Sequence, residues 1–218
     1  KFMKSFLLKV INNTDSIYDG DLRYYFKLVF HAPNARCDYH NFRHMMHVAC
    51  EVYDGICCMN YVEQFGKRGA RALLIAAILH DYGHKGTMGN DGDNIEFTKT
   101  ALRHYILDED KELLPKIERF IEATEFPHRK DIELSIGAQI IRDADMSPAF
   151  DDVWMQQLVF GLSREFNIEH PIDFLKNQPG FIEYQSKNFY TDWARKKFVP
   201  RAQNRIEEIN EYLSMLNA

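Results

Sequence analysis

The run LLIAAIL, residues 73 to 79, is apolar on every side and ends abruptly in His80 and Asp81. A helix that is hydrophobic all round has no face to offer water, so it reads as a buried helix. The rest of the chain is compatible with a helical wrapping. Val48, Val52, Ile56 and Met59 form an apolar stripe on a helix over roughly 40 to 65, which Gly66 breaks. A glycine-rich loop spans Gly83 to Gly92, and further helices are expected over 93–107, 110–125, 131–146 and 151–166. Ile206, Ile209, Leu213 and Leu216 form one face of a last helix that Pro200 is expected to open. No stretch alternates like a strand, so the class is all-α, a compact bundle with about ten helices.

Residues 1–218 read as a single domain, without internal repeat or linker. Net charge is −5, which does not suit a nucleic-acid backbone, so no nucleic-acid partner is expected. No apolar run reaches the roughly 18 residues a membrane span needs. The N-terminal KFMKSFLLKVI is a weak signal-peptide mimic, cut short by Lys9. The four cysteines, Cys37, Cys50, Cys57 and Cys58, contain no C-x-x-C pair. They are expected to be reduced thiols in a cytoplasmic protein, with Cys50 and Cys57 packed as small hydrophobes.

His40, His44 and His47 fall at i, i+4 and i+7, on one face of a helix. Imidazole is the commonest metal ligand near neutral pH. The pair His80–Asp81 closes the apolar helix, where an ionised carboxylate is costly without a counter-charge. A divalent cation would supply one. His84 follows one turn later. Downstream, AQIIRDADMSP (138–148) offers Asp143 and Asp145 at the end of an amphipathic helix, one of which would complete a His, His–Asp, Asp set.

His44, His80–Asp81 and Asp145 resemble the H…HD…D signature of the HD-domain superfamily of metal-dependent phosphohydrolases. The likeness extends to the catalytic domain of class I cyclic nucleotide phosphodiesterases. YHNFRH (39–44) resembles its Y-H-N-x-x-H, and HDYGHKG (80–86) its H-D-x-D-H-P-G. EATEFPH (122–128) is similar to A-T-D-M-x-x-H, and ADMSP (144–148) to A-D-L-S-N-P. QPGFIEY (178–184) and TDWA (191–194) resemble Q-x-G-F-I-x-F and E-T-W-A. The fragments keep the family's order over residues 39–216.

This resemblance implies hydrolysis of a 3′,5′-cyclic nucleotide of the cAMP or cGMP type to the 5′-nucleotide. It implies two divalent cations that acidify a bridging water and neutralise the phosphoryl oxygens. The first would take His44, His80, Asp81 and Asp145, a set suited to zinc, manganese or iron. The second, magnesium or manganese, would share Asp81 and otherwise use waters. His40 would be the general acid. His84, Glu96 and Thr124 would hold metal-bound waters. Tyr39, Gln178 and Phe181 would contact the substrate, the amide and the ring receiving the base. His47 has no counterpart in the motif and is expected at the edge of the core or behind the ligands.

The chain departs from the pattern at Gly83, where the family has a second aspartate, at Lys85, where it has proline, and after Asp145, where the asparagine before proline is missing. The segments between motifs are short. The metal site is therefore also compatible with a cyclic dinucleotide, a linear nucleotide or another phosphoester, and a di-iron oxygenase with His84 as an added ligand is a more distant alternative. Nothing resembles a GAF module or a membrane anchor. An acidic surface with Phe and Tyr near the C-terminus is compatible with a homodimer.

Overall fold

In a computed structural model, which describes residues 2–87, 91–128 and 133–216, the chain is all-helical, with ten α-helices and no strand among the described residues. They are α1 (Phe2–Asn12), α2 (Arg23–Phe30), α3 (Phe42–Cys58), α4 (Tyr61–Leu79), α5 (Asp91–Tyr105), α6 (Leu114–Glu122), α7 (Ile136–Asp145), α8 (Ser163–Glu165), α9 (Pro171–Asn188) and α10 (Asp192–Leu216). Two 3-10 turns, Asp108–Leu113 and Ser147–Phe150, and a π-helix, Met155–Leu162, complete the described elements.

The apolar run lies where its composition requires. Ala72 to Leu79 of α4 are all buried, and α4 packs against α2, α3, α6 and α7. The helix expected over 40 to 65 ends earlier, at Cys58. Asn60 takes a left-handed conformation, which short polar side chains tolerate, and turns the chain into α4. Gly66 (φ +71°, ψ 170°) then breaks the helical path as expected, so α4 is two helical pieces joined across a kink.

Three further expectations are corrected. The last helix begins at Asp192, and Pro200 lies inside it. Trp193, Ala194, Phe198 and Ala202 are all buried, so one packed face continues through the proline and outweighs its missing donor. The segment expected as one helix over 151–166 is mainly the π-helix, running into α8. Cys50 is buried as expected, but Cys57 is exposed. The middle of the expected 83–92 loop and the start of the expected 131–146 helix lie outside the described residues. No helix among the described residues is long and apolar enough to cross a membrane.

The candidate metal centre and its cleft

Asn41 caps α3, its side chain accepting from the amides of Arg43 and His44. This cap places His44 in the first turn, facing the C-terminal end of α4. His80 follows α4, and its Nδ1 lies 2.9 Å from the Ala77 carbonyl oxygen. A carbonyl can only accept, so Nδ1 carries the proton and the Nε2 lone pair is aimed inward. Asp145 is the last residue of α7.

These side chains converge. His44 Nε2 lies 3.2 Å from Asp81 Oδ2 and 3.0 Å from Asp145 Oδ1. His80 Nε2 lies 3.3 Å from His44 Nε2, 3.1 Å from Asp81 Oδ2 and 3.4 Å from Asp145 Oδ1. Ligands about 2.0–2.2 Å from one cation sit roughly 3.0–3.5 Å from each other, so the His44, His80 and Asp81 atoms are spaced like corners of one coordination shell, with Asp145 Oδ1 at the same range from both imidazoles. Buried Asp81 Oδ2 has no directed hydrogen bond. Burial opposes the charged form of His80, but Asp81 and Asp145 overcome it and hold its pKa well above the ordinary value. Burial likewise opposes ionisation of Asp81, yet His80 and His44 hold it well below the usual carboxylate range. His44, His80 and Asp81 form a group that could hold a metal ion, and Asp145 stands beside it, 3.0 Å from His44 Nε2.

His40 stands beside this group, clamped by a residue that sequence reasoning did not find. Glu165 Oε2 accepts from the backbone amides of Tyr39 (2.7 Å) and His40 (3.0 Å), while Oε1 meets His40 Nδ1. The clamp fixes the proton on Nδ1 and leaves Nε2 for the cleft. Glu165 arrives from 125 positions away because the π-helix runs close to the His40 loop. A Cβ on Gly161 would lie 2.9 Å from the Asp38 carbonyl oxygen. No local pattern in the sequence announces this pairing.

Asn34, also missed, ties the loops together. Its Nδ2 donates to the carbonyls of His40 and Asp81, both at 2.7 Å, and its Oδ1 accepts from Gly83 N at 2.8 Å. The His84 ring stacks on His40 with centroids 3.8 Å apart. Gly86 N donates to His84 Nδ1, so the neutral ring bears its proton on Nε2. Burial, with His40 nearby, lowers the His84 pKa and favours that neutral form.

A cleft of about 410 Å³ opens over these groups. Its polar side includes Asp81, Asp91, Thr124 and Asp145, and its apolar side Leu158, Leu162, Phe166 and Phe181. Tyr39, His40 and His84 also line it. Thr124 Oγ1 donates to the Ile121 carbonyl.

Two sequence candidates are not brought to the cleft. Glu96 is exposed and pairs with Lys99 at 2.7 Å. Asp91 of the same helix lines the cleft instead, with Oδ1 3.8 Å from His84 Nε2. Gln178 is buried on α9, its Nε2 reaching the Phe174 carbonyl at 3.4 Å, and is absent from the cleft wall. Asp143, left open beside Asp145, points elsewhere. It accepts from Tyr190 N, Thr191 N and Thr191 Oγ1 and so anchors the start of α10. Gly83 has φ +78°, and a Cβ there would lie 2.1 Å from the Phe97 ring. An aspartate at this position would be strained and would have to displace the Phe97 ring.

Fold and site together define a class: a helical domain with a two-histidine, two-aspartate centre at the floor of a cleft. Residues 39–103 match the family model of 3′5′-cyclic nucleotide phosphodiesterases. The matched stretch holds Tyr39, His40, His44, His80, Asp81 and His84, and it bears out the resemblance there. Asp145, Glu165 and Phe181 lie beyond it; the structure brings Asp145 and Phe181 to the same cleft and sets Glu165 behind His40. No curated protein matches the chain.

Proposed function

We propose that the chain hydrolyses a 3′,5′-cyclic nucleotide to the 5′-nucleotide with two divalent cations. The observation that carries this reading is the adjacency of the His44–His80–Asp81–Asp145 cluster to the His40–Glu165 pair. Zinc, manganese or iron suits the nitrogen-and-carboxylate set, and magnesium or manganese suits a second position on Asp81. Bound cations supply the charge that acidifies a water and neutralises phosphoryl oxygens.

The chain's own residues do the rest. Hydrolysis joins a water oxygen to phosphorus and breaks the P–O3′ bond, and the departing oxygen needs a proton. His40 holds that proton at Nε2, and Glu165, whose carboxylate is kept ionised against burial by His40, stabilises the imidazolium. Asp91, His84 and Thr124 offer polar groups to water on the facing side. Phe166 and Phe181 offer rings to a base.

The cleft wall is acidic, with Asp81, Asp91 and Asp145 on it. No Lys or Arg among the described residues lines the cleft, Lys85 included, so a polyphosphate lacks partners.

One observation favours a second reading with the same metal centre. Gln178 is not in the cleft wall, so the amide that would read a purine edge is not in place. A linear nucleotide, cyclic dinucleotide or other phosphoester could use the same cations. The oxygenase alternative is disfavoured, because a neutral His84 whose Nδ1 accepts from Gly86 has no lone pair on Nε2 to give iron.

Protein loaded with manganese or magnesium is expected to convert a cyclic mononucleotide to its 5′-monophosphate, read by chromatography of a substrate panel. Turnover of linear or dinucleotide substrates alone would replace this reading with the second. His40→Ala should keep its metal and lose turnover by about 10²-fold or more. Glu165→Gln should lower kcat by about tenfold or more with KM nearly unchanged, since it weakens the acid without touching substrate. Full activity in both variants would mean another group protonates the leaving oxygen.

A further inference from the structure

His47 is buried, lies one turn beyond His44 on α3, and is used by nothing above. Its Nε2 lies 2.9 Å from Ser147 Oγ. Ser147 is itself 1% exposed, with Oγ 2.7 Å from the Ala144 carbonyl oxygen. The ring nitrogen and the hydroxyl form a hydrogen bond in either tautomer of His47. Asp151 Oδ2 lies 3.4 Å from Nδ1 on the other side of the ring.

The placement matters because of what lies between these partners. Asp145 ends α7, and Ser147 opens the 3-10 turn that follows. The last turn of a helix has unsatisfied carbonyls and opens easily. Two parallel rungs therefore join α3 to this helix end: His44 to Asp145, and His47 to Ser147. The turn's far side is held from α10, where Arg205 Nη2 donates to the Asp151 carbonyl at 2.7 Å. That bond ties the turn to α10 and does not set its distance from α3.

We infer that His47 and Ser147 are positioning residues that hold Asp145 at ligand distance from His44, and so set the affinity of the first cation position. The inference rests on the metal-centre reading above. Ser147 is too buried for the Ser–His–Asp arrangement to act as a second hydrolytic site.

The test is calorimetric titration of metal-free protein with Mn²⁺, alongside thermal melts of the same metal-free samples. His47→Leu and Ser147→Ala should each weaken Mn²⁺ binding by about tenfold or more, the loss typical of groups that orient a ligand. The double variant should be no weaker than the worse single one, because both remove the same rung. His47→Gln, which keeps a hydrogen-bonding group near Nε2, should recover affinity to within about threefold of the parent. A Kd within about twofold of the parent in the conservative Ser147→Ala variant would overturn the inference, even if Tm falls. Asp145→Asn separates the two levels. If it binds Mn²⁺ as tightly as the parent, or the parent binds none, the metal-centre reading fails and takes this inference with it.

Discussion

Asp81→Ala is expected to lose metal and turnover together. The Asp81 carboxylate is the one acid adjacent in sequence to a histidine of the cluster, with Oδ2 3.2 Å from His44 Nε2 and 3.1 Å from His80 Nε2. Its Oδ2 is buried without a directed hydrogen bond, so the folded chain holds an ionised oxygen whose compensation is electrostatic. The two imidazole Nε2 atoms meet at 3.3 Å within reach of both carboxylates, a spacing that one shared cation would fit. Alanine leaves Asp145 as the cluster's only carboxylate and removes the oxygen that a second cation would share. Charge stabilisation by a bound cation is worth several kcal/mol in the transition state. At about 1.4 kcal/mol per tenfold, turnover should fall by about 10³-fold or more. Metal content by mass spectrometry and product release should fall in the same variant. Parent-like values for both would remove Asp81 from the centre and, with it, the two-cation scheme.

The floor of the site was legible because its chemistry is local. His44 lies in the first turn of α3, His40 sits in the loop just ahead of the Asn41 cap rather than on the helix expected for it, and His80–Asp81 ends a helix whose own sequence demands burial. The walls were not. Glu165 reaches His40 only through the irregular π-helix and the close approach at Gly161, neither of which leaves a periodic signature. Helix phase decides between Asp91 and Glu96. Asp91, Asn94 and Thr98 lie at i, i+3 and i+7, facing the HD loop, whereas Glu96 falls on another side and meets Lys99. A family pattern supplies an acid near this point but cannot say which turn of the helix presents it. Pro200 misled for a similar reason: proline favours helix starts, but the buried face from Trp193 to Ala202 continues through it.

The largest effect on stability is expected far from the cleft, at Arg71 of α4. Its guanidinium is 1% exposed and grips Asp110 twice, Nε to Oδ1 and Nη2 to Oδ2, both at 2.7 Å. Nη1 donates to the carbonyls of Asp19 and Asp21 at 2.8 Å, and Tyr25 donates its hydroxyl to Asp110 Oδ2 at 2.9 Å. One side chain thus fastens the α1–α2 connection, α2 and the 3-10 turn before α6 onto the buried helix. Burial opposes the charge on Asp110, but Arg71 and Tyr25 hold its pKa below the usual value. Arg71→Ala leaves that buried carboxylate without its bidentate partner, held only by Tyr25 and the longer Arg68 contact, with two orphaned carbonyls beside it. Breaking a buried pair from one side costs about 3–5 kcal/mol, a large part of the roughly 5–15 kcal/mol that holds a domain folded. For a chain of this size Tm should drop by about 6–20 °C. Replacing both partners by apolar residues should cost less than Arg71→Ala alone, because no buried charge is then left behind. A urea titration of the three proteins decides it. A loss below about 1 kcal/mol in Arg71→Ala would mean that Arg68, whose Nη1 lies 3.3 Å from Asp110 Oδ1, can take over the carboxylate.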